Sequence, residues 1–173
     1  MVEFVQHLLN GFLIGGIYAL MGIGLTLTFG VMNVVNFAHG QFYMLGAFVV
    51  YTVFTLAGVP YVLALVVAAM AVGLLGVITE RLLLRPIRDQ PADVPMLATI
   101  GLSIFLANMA LIIWDPTPKD TGLPFLFVGV KVGHLTLTPM RLFVLVAAFV
   151  IIAGSHLFLQ RSRMGKAIRA PVQ

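Results

Sequence analysis

Cysteine is absent from the 173-residue chain. That excludes disulfides, thiolate metal sites and thiol catalysis. Charge is almost as scarce. Lys, Arg, Asp and Glu together make up 9% of the residues while 61% are hydrophobic, against about 25% charged in a typical soluble domain. Sixteen charges cannot cover a globule of this size. Their placement is more decisive than their number. Between Glu3 and Glu80 there is no charged residue over 76 positions, long enough for three crossings at about 20 residues each. The apolar runs are continuous rather than short and alternating, which excludes a membrane β-barrel. The class is an all-α polytopic membrane protein. The net charge of +4 does not point to nucleic acid, because ten basic residues are too few and their positions fit a topology signal. The N-terminus has Glu3 and His7 where a basic signal-peptide region would be, and the first apolar run is too long for a signal core.

Catalytic patterns are lacking as well. There is no paired carboxylate in a span, no Gly-x-Ser-x-Gly and no phosphate-binding Gly-Lys-Ser/Thr loop. No Asp, Glu, Lys or Arg lies deep in an apolar run, so self-powered ion coupling is disfavoured too. A protein that is not an enzyme and carries no cofactor is expected.

Five apolar runs are present: Leu8 to Met32, Phe42 to Ala57, Tyr61 to Thr79, Met96 to Trp114 and Leu142 to Gln160. They predict about five transmembrane helices. The first contains Gly11 and Gly15, four apart and so on one helix face, where they permit close helix contact. Gly58-Val59-Pro60 ends the second run. Residues 80–93 read as a charged loop, and Pro95 suits the start of the fourth helix. Between the last two runs, Val128-Gly-Val-Lys-Val132 and Leu135-Thr-Leu-Thr138 alternate with period two around Gly133-His134. That predicts a small β-hairpin near residues 127–138.

Seven of the ten basic residues fall in two segments: Arg81, Arg85 and Arg88, then Arg161, Arg163, Lys166 and Arg169. Two spans separate them, so they share a side, and the positive-inside rule makes it cytoplasmic. The hairpin is then periplasmic. Arg81 and Arg85 read as an interfacial anchor or as a contact for a cytoplasmic partner. The last basic segment suits a short interfacial helix that anchors on anionic lipid or docks a soluble motor.

The most polar stretch of the charge-free region is Asn33-Val-Val-Asn36-Phe-Ala-His39-Gly40-Gln41. Asn33, Asn36 and His39 are spaced by three and would fall near one face of a helix. A re-entrant or broken helix is expected at 33–41. These residues, with Gly40 and Gln41, either line or brace a translocation path, or cap and glue helices with Asn36 as N-cap and His39 bonded to a backbone carbonyl. A metal site is not expected, because His39 has no carboxylate, Cys or second His nearby in sequence.

At Asn36-Phe-Ala-His-Gly-Gln-Phe-Tyr-Met-Leu-Gly-Ala47 the sequence closely resembles the LivH type of branched-chain amino acid ABC transporter permease. Gly16-Ile-Tyr-Ala-Leu20, Glu80-Arg81 with Arg85-Pro86, Ile100-Gly-Leu-Ser-Ile-Phe-Leu106 and Arg161-Ser-Arg-Met-Gly-Lys-Ala-Ile-Arg-Ala170 agree in the same order. The resemblance implies a permease domain in a bacterial inner membrane that imports hydrophobic amino acids and does no chemistry itself. Its partners would be a second permease of the LivH/LivM type, two cytoplasmic ATPase subunits and a periplasmic substrate-binding protein, in a lipid bilayer and without nucleic acid. Relatives that import urea or short amides share the motif. A stand-alone channel or a structural membrane subunit are the alternatives from other classes. Arg161, Arg163, Gly165, Lys166 and Arg169 would belong to the segment leading into the ATPase-coupling helix. Measured against that pattern, residues 1–173 form one permease domain that stops short, with later spans and most of the coupling helix absent.

Overall fold

The computed structural model describes residues 2–32, 35–122, 130–132, 135–137 and 139–161. Among them are five α-helices: α1 (Val2–Met32), α2 (His39–Tyr51), α3 (Tyr61–Thr79), α4 (Asp93–Trp114) and α5 (Pro139–Arg161). Two three-residue strands, β1 (Val130–Val132) and β2 (Leu135–Leu137), pair antiparallel with Val130 opposite Leu137 and Val132 opposite Leu135. The connecting residues 133–134 lie outside the described residues. Helix is what hydrocarbon demands, because it satisfies its backbone N–H and C=O groups internally.

Contacts group the chain into two compact units. The first comprises residues 1–31 and 123–173. Its helix α1 is unbroken despite many glycines, and its polar side chains close back on it. The Thr26 hydroxyl donates to the Gly22 carbonyl at 2.7 Å and the Thr28 hydroxyl to that of Gly24 at 2.9 Å. Gly16 faces Leu145 and Ala148 of α5, and a Cβ at Gly16 would lie 3.8 Å from the Leu145 side chain. Phe12 and Phe149 meet nearby with ring centroids 6.3 Å apart. Small residues thus let α1 and α5 approach, as membrane helices generally do.

The second unit, residues 32–122, holds α2, α3 and α4. Its buried side chains are mostly small: Ala38, Ala64, Ala68 and Ala110, with Leu84 and Leu106. Long apolar side chains point outward instead, with Leu56, Leu82 and Ile112 each more than 70% exposed. In water such a surface would aggregate, so lipid or further protein has to cover it. Glycine adds to the close packing, since a Cβ at Gly46 of α2 would sit 3.7 Å from the Val72 side chain of α3.

Both α2 and α3 leave through a widened turn. A π-helical turn continues α2 over Thr52–Leu56. Gly58 then adopts φ +64°, the left-handed conformation that glycine takes without strain, and Val59 N–H donates to the Val53 carbonyl at 3.3 Å. A second π-helical turn, Glu80–Leu84, continues α3 and tightens into a 3-10 turn at Arg85–Ile87. The expected charged loop at 80–93 is therefore shorter than the charges suggest. Helix persists through Ile87 because uncharged Leu82, Leu83 and Leu84 keep the chain helical, until Pro86 removes an N–H donor. Likewise α2 begins at His39 rather than Phe42, and α4 at Asp93 rather than Met96. Asp93 suits the positive end of the helix dipole, and Pro95 tolerates the first turn, where its missing N–H is not needed.

Three described helices are long and apolar enough to cross a membrane: Gln6–Gly30, Tyr61–Ile87 and Asp93–Trp114. Phe143–Ser155 is a shorter apolar helical stretch, and α2 with its π-turn reaches 18 residues, about 27 Å at an α-helical rise.

The far end of α4 is tied to α2 by the chain's only tryptophan. Trp114 stacks on Phe48 with centroids 4.9 Å apart and planes at 16°. Its indole N–H donates to the Thr52 hydroxyl at 2.7 Å, and that hydroxyl donates to the Phe48 carbonyl at 2.8 Å. Asp115 follows at φ 65°, a strained value for a non-glycine residue. Replacing Thr52 by Val keeps its shape and removes the acceptor, so it should destabilise the fold by about 1–2 kcal/mol. Thermal unfolding in detergent, followed by Trp114 emission, measures this. The exposed Thr55→Val should stay within about 0.5 kcal/mol of the parent.

Candidate functional site

Residues 35–38 form a tight non-helical turn ahead of α2, partnered by side chains and backbone together. Asn36 makes the turn. Its Oδ1 accepts from the Ala38 N–H at 3.0 Å, and its backbone carbonyl accepts from the His39 N–H at 3.2 Å. A side-chain oxygen bonding two residues on is the Asx-turn arrangement. Ala38, fully buried, is the N-cap position, and its carbonyl accepts from Gln41 N–H at 2.9 Å and Phe42 N–H at 3.2 Å. No side chain caps the helix. Asn36 therefore acts two residues ahead of the N-cap, by shaping the approach.

The turn is held from outside its own segment by Thr99 of α4, which is 1% exposed. Its hydroxyl accepts from the Phe37 N–H at 3.3 Å and donates to the Met96 carbonyl at 2.9 Å, with the Val35 carbonyl at 3.4 Å. One side chain thus spans more than sixty residues of sequence to hold the Phe37 N–H, while its single proton goes chiefly to the nearer Met96 carbonyl.

Of the residues anticipated from sequence, Asn36, His39, Gly40 and Gln41 are brought together in this turn and the first turn of α2. Asn36 lies outside the helix that His39 begins, so these two do not share one helical face. Asn33 itself falls outside the described residues. His39 and Gln41 are half-buried and Gly40 is exposed. The expected bond from the His39 imidazole to a backbone carbonyl is not formed among the described residues. The N-terminus of α2, with three small or polar residues in its first turn, thus presents an imidazole and a carboxamide not engaged in holding the fold. Chemically this is a donor and acceptor surface at a helix dipole's positive end, without a carboxylate or nucleophile.

In the C-terminal group, Arg161 is exposed at the end of α5. Arg163, Gly165, Lys166 and Arg169 lie outside the described residues.

Thr99 was missed by sequence reasoning. Its only signal was a hydroxyl in an otherwise apolar run, immediately before the Ile100–Leu106 motif.

A family model described as the permease component of the branched-chain amino acid transport system matches residues 7–173. The high-affinity branched-chain amino acid transport permease BraD of Pseudomonas aeruginosa is 35% identical, over 97% of this chain and 59% of its own length. LivH of Escherichia coli K12, a permease of the same description, is 33% identical over 96% of this chain and 58% of its own. A probable branched-chain permease, LivH of Methanocaldococcus jannaschii, is 29% identical over 97% and 55%. The chain spans a little under three fifths of the length of these curated relatives. No solved structure matches it.

Replacing Thr99 by Val leaves the Phe37 N–H without its partner in a part-buried site. The expected cost is about 1–3 kcal/mol, read as a lower unfolding temperature in detergent. Thr99→Ser keeps the hydroxyl and should recover most of the loss. Equal loss in both variants would show that the methyl packing matters and the hydrogen bonds do not.

Proposed function

The chain belongs to the branched-chain amino acid transport permease family, and from that we propose that it acts as the membrane-spanning permease subunit of an ATP-binding cassette importer for branched-chain, hydrophobic amino acids. The observation that carries this reading is the family match over residues 7–173. Residues 1–173 serve as one permease domain. Its partners are a second permease of the LivH/LivM type, two cytoplasmic ATPase subunits and a periplasmic binding protein. The ATPases supply the energy, in keeping with a chain whose sequence carries no phosphate-binding loop.

In this reading the chain makes about five crossings of the inner membrane. Arg81, Arg85 and Arg88, at the end of α3 and just beyond, face the cytoplasm. So does the segment 161–169, where Arg161, Arg163, Gly165, Lys166 and Arg169 meet the ATPase. The β1–β2 pair is periplasmic. Rocking of helices exposes the path alternately to either side, and the Asn36–Gln41 turn sits beside it. Support comes from the His39 and Gln41 side chains, which are not used to build the turn.

Substrate class is tested by uptake of labelled leucine, isoleucine and valine in a strain lacking its own branched-chain permease. The gene is supplied with its cognate ATPases, second permease and binding protein. Saturable, ATP-dependent uptake of all three is expected, and uptake of urea without any of them would defeat the assignment. The role of the turn is tested by His39→Ala. Uptake should fall well below the fall in membrane level, whereas a proportional fall would make His39 a purely structural residue.

A further inference from the structure

Helix α4 presents two unlike faces. Pro95, Thr99, Leu106 and Ala110 are buried. Asn108 lies two residues from both Leu106 and Ala110, and at about 100° per residue this puts it on the far side of the helix. It is exposed, in a stripe with Leu97, Gly101, Ile104 and Ile112, and Ile104 and Ile112 are 60% and 81% exposed. Every other member of the stripe is apolar. Asn108 lies about 9 Å along the axis from Trp114 and roughly 22 Å from Asp93, so it is well inside the apolar length of the helix. One amide hydrogen is used locally, Nδ2 donating to the Ile104 carbonyl at 2.8 Å. Among the described residues, the second amide hydrogen and the Oδ1 acceptor have no partner. Facing hydrocarbon, those groups would cost several kcal/mol. The end of α4 they lie nearer is the one opposite Arg88, hence on the outer side by the charge distribution.

We propose that Asn108 is a substrate-contacting residue, its carboxamide lining a water-filled path in the outer half of the membrane and bonding the ammonium and carboxylate end of an apolar amino acid. The flanking Ile104 and Ile112 supply the apolar wall for the side chain. A carboxamide suits the polar end because it offers both a donor and an acceptor without a net charge. This inference rests on the amino acid import reading above.

Residues 1–173 hold no cysteine, so Asn108→Cys adds the one thiol of this segment. It is probed with a charged, membrane-impermeant methanethiosulfonate reagent in native membranes carrying the assembled transporter, with labelling read on this segment and the unsubstituted protein as the blank. Leu74→Cys, at an exposed position in mid-α3, is the comparison. The thiol at 108 should react roughly tenfold faster than that at 74, because an apolar surrounding suppresses the reactive thiolate. Saturating leucine should slow the reaction at 108 and leave 74 unchanged. A thiol at 108 that reacts only after denaturation overturns the proposal, and so does reaction that leucine does not slow. Leucine uptake by the unsubstituted protein is measured alongside. If the parent imports leucine and the thiol at 108 is silent, this inference alone fails. If the parent imports none, the import reading fails.

Discussion

A backbone N–H or C=O that leaves its helix needs a partner elsewhere, and this constraint organises the second unit. The turn at 35–38 is tolerated because each side supplies what the helices cannot. Asn36 serves it from within and Thr99 from α4. Since Thr99 must stay dry to be effective, α4 has to lie against the turn, and this aligns Leu106 and Ala110 on the same buried face. The position of α4 relative to α2 thus follows from the needs of four non-helical residues. At the other end the Trp114–Thr52 bond repeats the principle, with a side chain holding the two helices where regular α-helix gives way to a wider turn.

Close packing does the rest. The buried positions are largely alanines, and the bulky residues face outward. In water the hydrophobic effect would favour the reverse, since burying Leu or Phe contributes about 1.5–3 kcal/mol each. In lipid that advantage disappears, and contact between backbones becomes the available gain. The same logic joins α1 to α5 through Gly16 and Ala148 in the first unit.

Much of this was legible beforehand. The helical membrane class followed from the scarcity of charge, and the helices fall where the apolar runs do. Boundaries were read less well, for a physical reason. Charged residues at 80–88 suggested a loop, yet a helix end at a membrane surface accommodates charge, and helix continues to Ile87. His39, Gly40 and Gln41 looked like part of a break but form the first turn of α2, where polar residues meet free N–H groups. Asn36 was singled out for its polarity. Its action as a turn-former rather than a cap depended on backbone geometry that no spacing encodes. Thr99 could not be distinguished from any other hydroxyl, because its importance lies in what reaches it from more than sixty residues away.

The two π-helical turns carry a consequence for how this chain can change over time. Each holds one residue more than an α-helical turn needs, and both stand at the exit of a helix, Thr52–Leu56 before Gly58 and Glu80–Leu84 before Arg85. A π-turn takes up an extra residue locally, so losing one there lets regular helix close up while the helix on each side keeps its face. A deletion in the regular α-helical stretches would instead rotate everything beyond it by about 100°. Changes of length by one residue are therefore absorbed best at these two turns.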